Sequence, residues 1–78
     1  MTKEEELIGA IAKIFKKDAS EISAQTRYKE DLNPKSGDYF AIIAAYEDVC
    51  GASLSFGQIR KHKTVGDTIQ KMNEALSK

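Results

Sequence analysis

Apolar residues recur at helical spacing in three stretches of the chain. In the first, Leu7, Ile8, Ile11, Ile14 and Phe15 follow one another at steps of one, three, three and one, which gathers them on one helical face. Thr2 and Glu5 have the spacing of a capping box at its start. Glu4, Glu5 and Glu6 in the first turn, and Lys13, Lys16 and Lys17 at the end, complement the helix dipole. In the second stretch, Phe40, Ile42, Ile43, Tyr46, Val49 and Cys50 predict a helix over 36–50, with Asp38 in its first turn and Gly51 as C-terminal cap. In the third, Val65, Ile69, Met72 and Leu76 mark the buried face of a last helix, capped by Thr64 within Thr64-Val65-Gly66-Asp67. Between these two, Ser55-Phe56-Gly57-Gln58 has the Ser-x-x-Gln form of a capping box and predicts a short helix through about Lys61, which Gly57 weakens by about 1 kcal/mol relative to Ala.

Residues 17–35 break the pattern. Ile22, Tyr28 and Leu32 are too sparse for an amphipathic face, so this stretch reads as a long ordered loop pinned to the core by those three side chains. Loops longer than about 15 residues are uncommon in small domains and are often functional. Asn33-Pro34 ends the loop with a turn signal, since the residue before proline avoids the helical region. No strand-like alternation and no internal repeat occurs. The expected architecture is all-α: a small four-helix bundle of three long helices plus one short, with a long loop between the first two, forming a single domain over 1–78.

Composition narrows the function classes. A chain of 78 residues buries only about 60% of the surface its unfolded form exposes, too little for a deep catalytic cleft. That favours a module acting with partners over an enzyme. Twelve basic and twelve acidic residues cancel, so the charge excess of a nucleic-acid binder is missing. No apolar run approaches the roughly 20 residues of a membrane span. The N-terminal Met-Thr-Lys-Glu-Glu-Glu lacks the basic and apolar parts of a signal peptide, so a cytoplasmic location is expected, and the protein is expected to be a monomer. Cys50 is the single cysteine and His62 the single histidine, too few ligands for a zinc site.

At Asp31-Leu32-Asn33-Pro34-Lys35-Ser36-Gly37-Asp38 the chain resembles the acyl carrier protein family, whose pattern there is Asp-Leu-Gly-x-Asp-Ser-Leu-Asp. Asp31, Leu32, Ser36 and Asp38 match. Upstream, Tyr28-Lys29-Glu30-Asp31-Leu32 is similar to the family's Phe-x-Glu-Asp-Leu. Downstream, Tyr46-Glu47-Asp48 is similar to Leu-Glu-Glu, and Thr64-Val65-Gly66-Asp67 to the opening of the family's last helix. The four segments stand in register over nearly the whole chain. The resemblance implies that Ser36 receives 4′-phosphopantetheine from coenzyme A through a phosphopantetheinyl transferase. The arm would then carry acyl groups as thioesters between acyl ligase or synthase enzymes, as in fatty acid biosynthesis and other lipid metabolism. A helix N-terminus suits the phosphodiester anion that results. Ser36 without its flanking matches would read simply as a helix N-cap.

Two neighbours of Ser36 depart from the pattern. Lys35 replaces an Asp, and Gly37 replaces a Leu that the resemblance marks as a hydrophobic contact for partners. The family's second helix presents a row of carboxylates to basic enzyme surfaces. Asp38, Glu47 and Asp48 keep part of that row, while Ala41 stands where an acidic residue is common. These departures point to a specialised lipid or secondary-metabolite pathway. They leave open a carrier-fold binding module that has lost the arm, and an aminoacyl or peptidyl carrier. Of the aromatics Phe15, Tyr28, Tyr39, Phe40, Tyr46 and Phe56, most are expected in the core, and Tyr39 is expected at the surface, where it could brace the arm or a partner. Ala41, Ala44, Ala45 and Tyr46 could border a cavity between helices. Arg60-Lys61-His62-Lys63 reads as a solvated helix end, and Cys50 as a small core residue.

Overall fold

The computed structural model describes residues 2–77. Its helices are α1 (Lys3–Ile14), α2 (Ser36–Cys50), α3 (Phe56–Lys61) and α4 (Val65–Leu76). No strand occurs among the described residues. The chain is therefore an all-α bundle of three long helices and one short.

Local chemistry fixes the ends of these helices. The Glu5 N–H donates to Thr2 Oγ1 at 3.1 Å and the Thr2 N–H donates to Glu5 Oε1 at 3.3 Å. The Ser55–Gln58 pair closes the same reciprocal box on α3 at 3.1 Å in both directions. On α4, the Asp67 N–H donates to Thr64 Oγ1 at 3.3 Å, and the Asp67 carboxylate accepts from the N–H groups of Lys63 and Thr64 at 2.8 and 3.2 Å. Those backbone donors hold the Asp67 carboxyl below its ordinary value of 3.8. Gly51 ends α2 at φ 75° and donates its N–H to the Glu47 carbonyl at 2.8 Å.

The long connection is ordered, with Ile22 and Tyr28 buried and Leu32 half-buried. It also holds two short turns that periodicity did not reveal, a 3-10 turn at Ala19–Glu21 and a single π-type turn at Tyr28–Leu32. Each is too short to repeat a face. The π-type turn is held by the Arg27 N–H donating to Asp31 Oδ2 at 2.8 Å. It stops at Asn33, whose φ of 48° is a left-handed conformation that asparagine tolerates.

The same connection is bonded to the α3–α4 link and the first turn of α4. The Tyr28 N–H donates to the Lys63 carbonyl at 3.0 Å, Val65 N–H to Thr26 at 2.9 Å, and Gly66 N–H to Ala24 at 2.9 Å. The approach at Gly66 is so close that a Cβ there would lie 2.7 Å from the Ala24 carbonyl oxygen. Glycine is needed here for contact distance.

α1 packs along α2, α3 packs on α2, and α4 closes against both α1 and α2. Leu7, Ile11, Ile42, Ile59, Val65 and Met72 are fully buried between them. Each such side chain contributes about 1.5–3 kcal/mol. A buried polar chain crosses the same interior. The Tyr28 hydroxyl lies 2.7 Å from Thr68 Oγ1, which lies 2.8 Å from His62 Nδ1. It ties the long connection to α4 and to the α3–α4 link.

Two expectations are corrected. Leu76 is 44% exposed, because the last turn of α4 runs past the core. Phe40 is 59% exposed while Tyr39 is buried, because Tyr39, Ile42 and Tyr46 set the inward face of α2 and Phe40 points about 100° away from Tyr39. Ala44 is exposed, Ala41 and Ala45 are half-buried, and the Tyr46 side chain packs fully buried from α2. Tyr46 lines a depression of about 720 Å³ with Ala52, Ser53, Lys71 and Glu74. Its hydroxyl has no hydrogen-bond partner among the described residues, and burial, then the neighbouring Cys50 thiol, push it up to about 12. Cys50 is half-buried against the core.

Candidate functional site

The loop-to-helix junction at Ser36 is built by a one-sided cap. Lys35 is the N-cap residue, extended at φ −95° and ψ 174°, and Ser36 is the first residue of α2. Lysine has no side-chain acceptor to offer the helix. The cap is made instead by Asp38, whose half-buried carboxylate accepts the Lys35 N–H at 2.9 Å. The Lys35 carbonyl accepts from Asp38 N–H at 3.0 Å and Tyr39 N–H at 3.2 Å. The first-turn N–H groups of Ser36 and Gly37 have no partner among the described residues, as helix N-termini require when no side chain caps them. Ser36 thus does not cap α2. Its residue is exposed, and its hydroxyl takes part in no hydrogen bond among the described residues.

Beside Ser36 runs an open groove of about 620 Å³, lined by Lys29, Asn33, Pro34, Lys35, Tyr39, Phe56 and Arg60. Its charge is one-sided. Glu30 and Asp31 are paired with Arg27 at 2.7 and 3.7 Å, and Asp38 is committed to the Lys35 N–H. Lys29, Lys35 and Arg60 are exposed and form no ion pair among the described residues. One wall is aromatic. Tyr39 meets Phe56 edge-on, with centroids 5.7 Å apart, and Phe40 stacks on Phe56 at 4.9 Å. The Arg60 guanidinium lies 5.7 Å from the Phe56 centroid, within cation–π range.

The sequence-predicted residues divide between two places. Lys35, Ser36, Gly37, Asp38 and Tyr39 form the junction itself. Ala41 is half-buried on α2. Glu47 and Asp48 are exposed, but eleven and twelve residues along α2 put them about 16–18 Å from Ser36 along the helix axis. Tyr39 is the clear correction, since it is only 8% exposed and braces Phe56 from beneath. Lys29, Phe40, Phe56 and Arg60 were not anticipated at the site. Phe40 follows Ser36 by four residues, a spacing that puts both on one helical face and could have flagged it.

The other candidates lie elsewhere. His62 is half-buried in the hydrogen-bonded chain with Thr68, and burial lowers its pKa. The basic run around it is therefore not uniformly solvated, although Arg60, Lys61 and Lys63 are exposed. Among the described residues no cluster of His, Cys, Asp and Glu could hold a metal ion, and no helix is long and apolar enough to cross a membrane.

No protein-family model matches the chain. The acyl carrier proteins of Rickettsia canadensis (strain McKiel) and Rickettsia rickettsii (strain Iowa) are each 34% identical to it over 74 residues, covering 95% of this chain and 86% of theirs. The acyl carrier protein of Exiguobacterium sp. (strain ATCC BAA-1283 / AT1b) is 33% identical over 72 residues, covering 88% of this chain and 91% of its own. Identity at this level over most of both chains, on an all-helical bundle with an exposed serine opening α2, shows that the chain belongs to the acyl carrier protein family.

Proposed function

We propose that this protein is a carrier that holds acyl or related intermediates as thioesters on a 4′-phosphopantetheine arm attached to Ser36, and that it is not itself an enzyme. The observation that carries this reading is the Ser36 residue, exposed and with its hydroxyl unbonded at the first position of α2. The residues around it suit the group. A phosphodiester on Ser36 Oγ would sit beside the unpaired N–H groups of Ser36 and Gly37, where the dipole of α2 favours an anion. Lys35, Lys29 and Arg60 line the groove beside Ser36 and would supply positive charge near the phosphodiester. When bound, the arm supplies the thiol on which the thioester is held. The tether raises the effective concentration of its cargo at a partner's active site.

On this reading a phosphopantetheinyl transferase installs the arm, and acyl ligase or synthase enzymes load and unload it, in the cytoplasm and on a monomeric carrier. Lys35 and Gly37 favour a specialised lipid or secondary-metabolite pathway with dedicated partners. The same two residues motivate the second reading, a binding module without the arm, and an aminoacyl or peptidyl carrier shares the same chemistry at Ser36.

Incubating the apo protein with coenzyme A and a broad-specificity phosphopantetheinyl transferase tests the proposal by intact mass. The expected result is a gain of one phosphopantetheinyl group that Ser36→Ala abolishes. No gain on either the native chain or Gly37→Leu, or a gain that survives Ser36→Ala, refutes it.

A further inference from the structure

Beside Ser36, α2 and α3 expose a prearranged aromatic surface. A singly exposed apolar residue needs no explanation. Phe40, however, is 59% exposed with its ring stacked on Phe56, and Phe56 is held in turn by Tyr39 from beneath and by the Arg60 guanidinium. A ring fixed by neighbours loses little rotamer freedom when it is covered. Aromatic residues and arginine are also the types enriched in the centres of protein interfaces.

Charge supplies a second, independent observation. Lys29, Lys35 and Arg60 surround the same end of the face without ion-pair partners among the described residues, whereas the acidic groups nearest them are already engaged. The exposed carboxylates of Glu47 and Asp48 stand at the far end of α2. From Ser36 outward the face is thus cationic, then aromatic, then acidic.

We propose that this face docks a protein partner presenting an apolar socket for Phe40, rimmed by carboxylates that meet Lys29, Lys35 and Arg60. The proposal rests on the carrier reading, because the partner is an enzyme that must reach Ser36. An anionic membrane or a nucleic acid presents net negative charge throughout and would meet Glu47 and Asp48 unfavourably. A protein can place carboxylates at one end of its surface and cations at the other. The polarity near Ser36 is opposite to that of a carrier read by basic enzyme surfaces, so enzymes of that kind would engage this chain poorly.

The test measures the initial rate at which the full chain is labelled from fluorescent coenzyme A in an extract of its source cells, cleared of membranes and treated with nuclease. The variants are Phe40→Ser, the double variant Lys29→Glu/Arg60→Glu, and Lys13→Glu on α1 as a control, each checked for native helical content. Phe40→Ser and the double variant are expected to lower the rate about tenfold or more, and Lys13→Glu to change it less than about twofold. A labelled native chain with both face variants within about twofold of it overturns the docking face alone. A rate raised by the double variant overturns the acidic partner in favour of a basic one. Binding of the native chain to protein-free anionic vesicles that both face variants lose overturns the protein partner in favour of a lipid surface. A native chain left unlabelled at Ser36 under all these conditions overturns the carrier reading along with it.

Discussion

Thr68 is the shared partner in the buried chain that joins Tyr28 to His62, and removing its hydroxyl should cost more than removing that of Tyr28. Thr68→Val keeps the branched shape and deletes only the oxygen. The fully buried Tyr28 hydroxyl and the half-buried His62 Nδ1 both lose their partner. An orphaned buried hydroxyl costs about 1–3 kcal/mol, and His62 adds a smaller amount because it can turn toward water. The expected loss is about 2–4 kcal/mol. Tyr28→Phe should cost about 1 kcal/mol, because Thr68 keeps His62 as partner. Combining the two substitutions removes the orphaned Tyr28 hydroxyl, so the double variant should be more stable than Thr68→Val alone. Urea unfolding of the four proteins in a double-mutant cycle measures this directly. In a domain of this size each kcal/mol should also move Tm by about 4–8 °C. A Thr68→Val cost no larger than that of Tyr28→Phe, or additivity of the two, would refute the reasoning.

Three further outcomes are expected. Gly66→Ala should destabilise by about 1–2 kcal/mol in chemical unfolding, despite the better helix propensity of alanine, because its Cβ would press on the Ala24 carbonyl oxygen at 2.7 Å; a stabilised variant would contradict the close approach. Gly37→Leu meets no atom within 4 Å of its Cβ, so it should raise stability by about 0.5–1 kcal/mol by thermal unfolding and raise the rate of arm attachment by a broad-specificity transferase; a lower rate would contradict the role given to that position. Burial holds His62 below its ordinary value of 6.5 when folded, so the unfolded chain takes up the proton first. Its contribution is complete above about pH 6.5 and declines as pH falls from there toward the lower folded value; His62→Asn should flatten that part of the denaturation profile, and an unchanged slope would show that another group carries it.

Much of the fold was legible because its signals are local. Each capping box is a pair of residues three apart; the Thr2 and Ser55 boxes form where their spacing puts them, and Thr64 caps α4 as its position implies. Gly51 likewise marked the end of α2. The two short turns of the long connection were not legible, since a single turn has no period. The wrong assignments on α2 share one cause. Phe40 is apolar but out of phase with Ile42 and Tyr46, and the inward position belongs to Tyr39. Ser36 was found through neighbouring residues in register. Its setting was not, because Lys29, Phe56 and Arg60 reach it from other parts of the chain, and no spacing on α2 encodes that convergence. The buried chain through Thr68 was hidden for the same reason, since Tyr28 and Thr68 lie 40 residues apart.

The central claim is that Ser36 carries a phosphopantetheine arm in the cell. The most direct measurement is the intact mass of the protein purified from its own source, with fragmentation to locate any added group. The account predicts a population bearing one phosphopantetheinyl group on Ser36, free or acylated, and none elsewhere. A protein recovered with Ser36 always bare, or with the group on another residue, would contradict it.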